Sequence, residues 1–379
     1  MTTLFEPITL GAIHAPNRIL MAPLTRGRAT RAHVPTALMA EYYAQRASAG
    51  LIISEGTGIS QQGLGWPYAP GIWSDEQVAA WQPIVRAVHD AGGRIVAQLW
   101  HMGRIVHPDF LDGRSPVSAS VTAAPDWART YRGKQRHVPS RELAFEEIQR
   151  IVSDYRRAAR NALAAGFDGV QLHAANGYLI DQFLRDGTNQ RKDCYGGCIA
   201  NRVRLLIEVT RALIDTVGAD RTGVRLSPND DPNGCGDSRS DELFIRAAAE
   251  LSRLNIAFLE MRASRPDSTF RPAVRQLVPA IRRVFKGALI LNSDYTLASA
   301  SRSLSSGEAD AIAFGRLFLA NPDLPTRFAA NAGLNTPHVS TFYSRGHAGY
   351  TDYPTRTDTD NPDRRVSAPE CARTNSRFP

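Results

Sequence analysis

The stretch "RILMAPLTRGR", residues 18–28, separates two architectures. Its first half reads as a buried strand, because Ile19, Leu20 and Met21 are contiguous apolar residues and Pro23 closes the run. A doubly wound nucleotide-binding sheet would normally follow its first strand with GxGxxG, whose bare backbone approaches a pyrophosphate at a helix N-terminus. Here the strand runs into Leu24, Thr25, Arg26, Gly27 and Arg28, with one glycine and two cations. That favours a closed barrel, provided the rest of the chain supplies enough strands.

Seven further apolar runs follow: "GLIISEG" (50–56), "RIVAQLW" (94–100), "GVQLH" (169–173), "TGVRLS" (222–227), "AFLEMR" (257–262), "ALILN" (288–292) and "AIAFG" (311–315). Between them lie segments with apolar residues at three- and four-residue spacing, for example 144–165, 201–217, 241–254 and 273–285. Eight strands with intervening helices predict an α/β fold of the (β/α)8 TIM barrel type, a single domain over residues 1–355. Residues 101–143, rich in Pro, Ser, His and Arg, form a long insertion after strand 3, placed where a barrel carries a lid. Residues 356–379 are polar and arginine-rich without periodicity, and are expected to be a disordered tail.

At 379 residues and 43% apolar content the chain can bury a large core. It has no apolar run of about 18 residues, and "MTTLFEPITL" lacks a basic n-region and an h-region, so the expectation is no membrane span, no secretory signal and a cytoplasmic location. Cys194, Cys198, Cys235 and Cys371 lack CxxC spacing and read as free thiols, with no metal site. The net charge of +8 comes almost wholly from arginine, lysine occurring only at Lys134, Lys192 and Lys286. The arginines are interleaved with acids without a basic run, so nucleic acid is not an expected partner.

Barrel active sites lie at the carboxyl ends of the strands, and those ends are unusually polar here. They bring together Thr25, Glu55, Gln98, His101, His173, Asn176, Tyr178, Arg225, Asn292, Ser293, Asp294 and Arg316, with Pro23, Leu24, Gly56, Trp100 and Gly315 among them. Taken singly, each reads equally well as a satisfied core or loop residue. Arg225, inside an apolar strand, must meet an anion or a group that becomes anionic. Gln98 offers a donor and an acceptor, as the edge of a flat heterocycle requires, and Gly315 with Arg316 suits a phosphate. A phosphorylated, planar, redox-active cofactor satisfies all three. No GxSxG, HExxH or Walker loop offers another chemistry. His173 and Asn176 can hold and polarise a substrate oxygen, while Tyr178, a phenol of ordinary pKa about 10, can deliver a proton. Hydride addition to an electron-poor double bond needs both.

The stretches "LFEPITLGAIHAPNRILMAPLTRGRA" (4–29), "AQLWHMGR" (97–104), "HAANGYLIDQFLRDGTNQR" (173–191), "NRVRLLIEV" (201–209), "DAIAFGRLFLANPDLP" (310–325) and "GYTDYP" (349–354) resemble the Old Yellow Enzyme family of FMN-dependent NAD(P)H:alkene oxidoreductases. The resemblance spans residues 4–354. It implies bound FMN, with Pro23, Leu24, Thr25, Gly56, Gln98 and Arg225 along the flavin and Ser293, Asp294, Gly315 and Arg316 on its phosphate. It further implies NADPH or NADH as the reducing co-substrate and electron-poor alkenes as the small-molecule partner. His173 and Asn176 would grip the substrate oxygen, Tyr178 would protonate Cα, and Trp66, Trp100, Phe270 and Tyr343 would form the walls. Thr25 stands where a thermophilic-type branch has cysteine, which favours the classical branch, and a monomer or weak homodimer is expected. Ser293 and Asp294 depart from a commoner glycine-containing pair, and Ser344 and Arg345 replace frequent small glycines in a substrate-facing loop. A nitro- or nitrate-ester reductase, a flavin redox sensor without turnover and a flavin-free barrel such as an aldolase remain as alternatives.

Overall fold

The computed structural model describes residues 2–228, 231–262 and 277–357. Phe270 and the polar stretch 358–379 therefore lie outside the described residues.

Eight parallel strands close on themselves: β1 Ile19–Met21, β2 Ile52–Ile53, β3 Ile95–Trp100, β4 Gly169–His173, β5 Thr222–Leu226, β6 Phe258–Arg262, β7 Ala288–Asn292 and β8 Ala311–Phe314. Each pairs with its sequence neighbour, and β8 returns to β1 with Phe314 opposite Met21. All eight fall within the apolar runs, with β4 and β7 filling theirs and the other six shorter. Helices α1 Ala37–Ala44, α2 Asp75–Asp90, α3 Phe145–Ala165, α4 Arg204–Val217, α5 Ser240–Arg253, α6 Val278–Val284, α7 Leu297–Ser305 and α8 Leu324–Ala329 follow the strands in turn. The segment read as one helix over 201–217 is divided: Ile199–Arg202 forms a separate short turn before α4.

Strand alternation sorts the core into two bodies. Outward residues such as Met21, Leu99, Leu172, Val224, Leu259 and Ile312 pack with the apolar stripes of the helices. Inward residues Leu20, Ile53, Val96, Phe258, Ile290 and Ala313 fill the lower barrel. The same cluster takes in Leu10 and Ile13 from an N-terminal hairpin, Ile8–Leu10 with Ile13–Ala15, that plugs the bottom. Above it the inward positions become polar, at Gln98, Gln171, Arg225, Glu260 and Asn292, all of them buried.

Residues 101–143 form two short 3-10 turns, a parallel bridge of Val117–Ser118 with Arg141–Glu142, and a hairpin of Trp127–Thr130 with Gly133–Arg136. Met102, Val106, Phe110 and Leu111 of this segment share an apolar cluster with Trp100, Trp66, Tyr131 and Tyr178.

Three arginines tie the C-terminal loop to the start of the barrel. Arg26 Nη2 donates to Gly349 O at 2.6 Å, Arg28 Nη1 to Phe342 O at 3.0 Å, and Arg46 Nη2 to Tyr350 O at 3.3 Å. Tyr42 and Tyr350 stack at 4.0 Å between them. Glu55, fully buried at the end of the β2 segment, accepts from the Arg26 amide at 3.2 Å and the Tyr43 hydroxyl at 3.3 Å. Burial outweighs these donors and pushes the Glu55 carboxyl up from 4.5 to about 7. Because the folded value lies above the unfolded one, its contribution to stability is complete below pH 4.5 and is lost as pH rises through about 7. Glu55→Gln should flatten that profile, removing a decline on the order of 3 kcal/mol between about pH 5 and about pH 8 in urea melts.

Candidate active site

A polar ladder crosses the top of the barrel. Gln98 Nε2 donates to Gln171 Oε1 and Gln171 Nε2 to Glu260 Oε2, both at 2.7 Å. Arg225 Nε lies 3.2 Å from Glu260 Oε1, and its Nη2 donates to Asn292 Oδ1 at 2.7 Å. The anion that the burial of Arg225 demanded is thus supplied by the chain itself, through a fully buried Glu260. Burial of Arg225 alone is therefore no sign of an anionic ligand. Glu260 and Gln171 were absent from the sequence-based site, although polar residues at inward positions of "AFLEMR" and "GVQLH" were the available signal.

A cavity of about 720 Å³ opens beside this ladder, lined by Ala22, Pro23 and Leu24 on one flank, Arg225, Arg262 and Asn292 at its base, and Ser293, Asp294, Gly315 and Arg316 on the other flank. Of the ten expected cofactor positions seven fall on this lining, while Gln98 sits at the far end of the ladder, beyond Glu260 and Gln171. A Cβ on Gly315 would meet only Leu24 Cδ2, at 3.4 Å, so protein packing does not demand the glycine and its bare backbone faces the cavity. The Asp294 carboxylate lies 4.0 Å from Arg316 Nη1, where it offsets part of that positive charge. Thr25 follows the same strand end, half-buried. Gly56 serves packing directly, since a Cβ there would come within 2.6 Å of the Trp100 ring. A guanidinium at one end, backbone and arginine donors at the other and apolar walls between are a donor set that fits FMN.

Past β4 the chain turns through two left-handed residues, Asn176 at φ 60° and Gly177 at φ 73°. A Cβ on Gly177 would lie 2.2 Å from Pro232 O, so only glycine fits. The turn is held by Asp181, whose Oδ2 accepts from the Gly177 amide at 2.8 Å while Oδ1 pairs with Arg185 Nε at 2.8 Å, both side chains fully buried. Tyr178 then opens the short helix Leu179–Leu184.

This turn gathers the three residues expected to do the chemistry. The Tyr178 ring stands edge-on to His173 and to Trp100, at 4.9 Å from each, and Trp100 lies nearly parallel to His173 at 6.1 Å. Burial, with Arg225 and Arg262 nearby, holds the His173 imidazole well below its ordinary pKa, so the ring is neutral and donates through one N–H. Burial raises the Tyr178 phenol above its ordinary value, so it keeps its proton. Asn176 Oδ1 accepts from Arg262 Nη1 at 2.9 Å, which leaves the amide N–H pair as the donor side. Arg262, the last residue of β6, was also missed; it shares the inward register of Phe258 and Glu260.

Of the expected walls, Trp66 and Tyr343 stand together at 5.2 Å, and Tyr343 lies near enough to Tyr178 to raise its pKa further. Trp100 is deeper, 2% exposed, packed between His173 and Tyr178. Among the described residues no group of three His, Cys, Asp or Glu side chains could hold a metal, and Cys194, Cys198 and Cys235 are free thiols. No described helix is long and apolar enough to cross a membrane.

A (β/α)8 barrel with polar strand ends, and a donor set that fits FMN beside a buried histidine and phenol, is compatible with a flavin-dependent oxidoreductase, the class that the chain's relatives define. Residues 3–335 match the NADH:flavin oxidoreductase / NADH oxidase family, and the chain belongs to it, within the Old Yellow Enzyme family. The Old Yellow Enzyme homologue of Zymomonas mobilis is 59% identical, with a TM-score of 0.91 over 93% of this chain and 99% of that one. Morphinone reductase in complex with tetrahydroNAD is 43% identical, with a TM-score of 0.90 over 97% of this chain and all of that one (100%). A 12-oxophytodienoate reductase of Arabidopsis thaliana, number 2, is 41% identical over 93% of this chain and 95% of its own length.

Proposed function

We propose that this protein is an FMN-dependent ene-reductase that takes reducing equivalents from NADPH or NADH and reduces the activated C=C bond of α,β-unsaturated carbonyl, imide or nitro compounds. The observation that carries the reading is the gathering of a neutral His173, a donor-side Asn176 and a protonated Tyr178 on one turn beside the cavity. His173 and Asn176 donate to the carbonyl, imide or nitro oxygen and draw electron density from Cβ. FMN, when bound, supplies the hydride to Cβ. Tyr178 delivers its hydroxyl proton to Cα, which completes addition of two hydrogens across the double bond.

Pro23, Leu24, Thr25, Gly56, Gln98 and Arg225 would hold the ring of FMN, with Ser293, Asp294, Gly315 and Arg316 on its phosphate. Trp66, Trp100 and Tyr343 shape the substrate space, residues 101–143 cover it as a lid on a single barrel domain, and the enzyme works in the cytoplasm.

The test uses the purified yellow protein. NADPH or NADH should bleach its visible flavin band, and 2-cyclohexenone or N-ethylmaleimide should restore it; colour restored only by nitrate esters or by dioxygen would refute the alkene assignment. Phenol, whose oxygen mimics that of the substrate, should bind at least about tenfold more weakly to His173→Ala, the loss of a hydrogen bond to a charged oxygen.

A further inference from the structure

Three guanidiniums rest on aromatic faces around the mouth of the site, each from a different part of the chain. Arg31, after β1, lies 4.4 Å from the centre of the Tyr131 ring. Arg129, on the 127–136 hairpin, lies 4.7 Å from Tyr343 and 5.7 Å from Trp66. Arg345, on the C-terminal loop, lies 4.2 Å from Tyr68. Tyr68 and Tyr131 meet edge to face at 5.1 Å, so Arg31 and Arg345 flank one aromatic pair. Trp66 and Tyr131 pack on the same apolar cluster as Trp100 and Tyr178, which ties the aromatic seats of Arg129 and Arg31 to the wall of the site.

All three arginines are exposed, and none meets a carboxylate among the described residues. Their neighbour Arg132 makes the contrast, being paired to Asp109. Stacking fixes each guanidinium plane while leaving its edge donors toward solvent, the arrangement that suits a phosphate. NADH and NADPH carry the same nicotinamide and differ only in a 2′-phosphate at the far, adenosine end. A cationic rim outside the reacting centre is where that difference would be felt.

We propose that Arg31, Arg129 and Arg345 receive the 2′-phosphate of NADPH and make NADPH the preferred reductant. The proposal rests on the oxidoreductase reading above, and it gives a role to Arg345, the unexplained departure in the substrate-facing loop. The holoenzyme is titrated with unreactive tetrahydroNADP and tetrahydroNAD, and flavin bleaching by NADPH and NADH is followed in stopped flow. Wild type should favour the phosphorylated form, and Arg31→Gln/Arg345→Gln and Arg129→Gln should each weaken its binding about tenfold or more while changing tetrahydroNAD little. Added salt should erode the preference, since screening shortens the reach of exposed charges. Equal losses for both dinucleotides, an unchanged ratio, or losses seen only for a carboxylate-bearing alkene would overturn it. Reoxidation of dithionite-reduced enzyme by 2-cyclohexenone reports separately on alkene reduction, so failure there would not be mistaken for failure of the rim.

Discussion

Tyr178→Phe should slow reoxidation of the reduced enzyme by 2-cyclohexenone about 10²- to 10⁴-fold, the range for loss of a positioned general acid, while bleaching by NADPH stays at the wild-type rate. The expectation follows from what the substitution leaves in place. The ring keeps its edge contacts with His173 and Trp100 and its seat at the start of Leu179–Leu184, so only the hydroxyl is lost. Reduction by the nicotinamide needs no proton from the protein, whereas saturation of the alkene needs one at Cα. Because burial raises the phenol above its ordinary pKa, the wild-type oxidative rate should also show no titration of this group through neutral pH. Stopped-flow measurement of the two half-reactions checks both statements; equal slowing of the two would mean that Tyr178 shapes the site and does not donate the proton.

The second large effect lies in the ladder. Arg225→Ala leaves Glu260 fully buried without its cation, which should cost about 3–5 kcal/mol in urea melts of the flavin-free protein. That is a large part of a typical domain's stability. It also removes the guanidinium at the base of the cavity, so flavin should be lost on gel filtration. The double variant Arg225→Met/Glu260→Leu separates the two roles, because replacing both charges with apolar groups should recover most of the stability, Gln171 being left short of one acceptor. Flavin affinity should stay low in that variant. Wild-type flavin affinity there would show that Arg225 serves Glu260 alone.

The barrel was legible because strands buried on both faces read as nearly continuous apolar runs, and each of the eight runs became a strand. The turn of His173, Asn176 and Tyr178 was legible because its polar residues fall where a strand ends. What was missed depends on register across strands. Glu260 and Gln171 meet because β6 and β4 both point them inward, a fact no local pattern contains, and so the partner of Arg225 was sought in a ligand. Arg262 follows from the same register. The arginine clamp escaped for a different reason: Arg26, Arg28 and Arg46 find backbone carbonyls, and backbone acceptors leave no mark on residue identity.

That clamp bears on how the protein is made. Arg26 finds its acceptor at Gly349, 323 positions later in the chain, and the barrel seam between β1 and β8 closes over a similar span. On the ribosome the segment of Arg26 must therefore stay unclamped, its cation hydrated, until Gly349 has been made. Contacts so distant in sequence slow folding, and the loop bearing Tyr343 and Arg345 takes its place only when they form. Assembly of the substrate mouth is thereby a late event of biosynthesis, and chains released early lack it even when most strands have been translated.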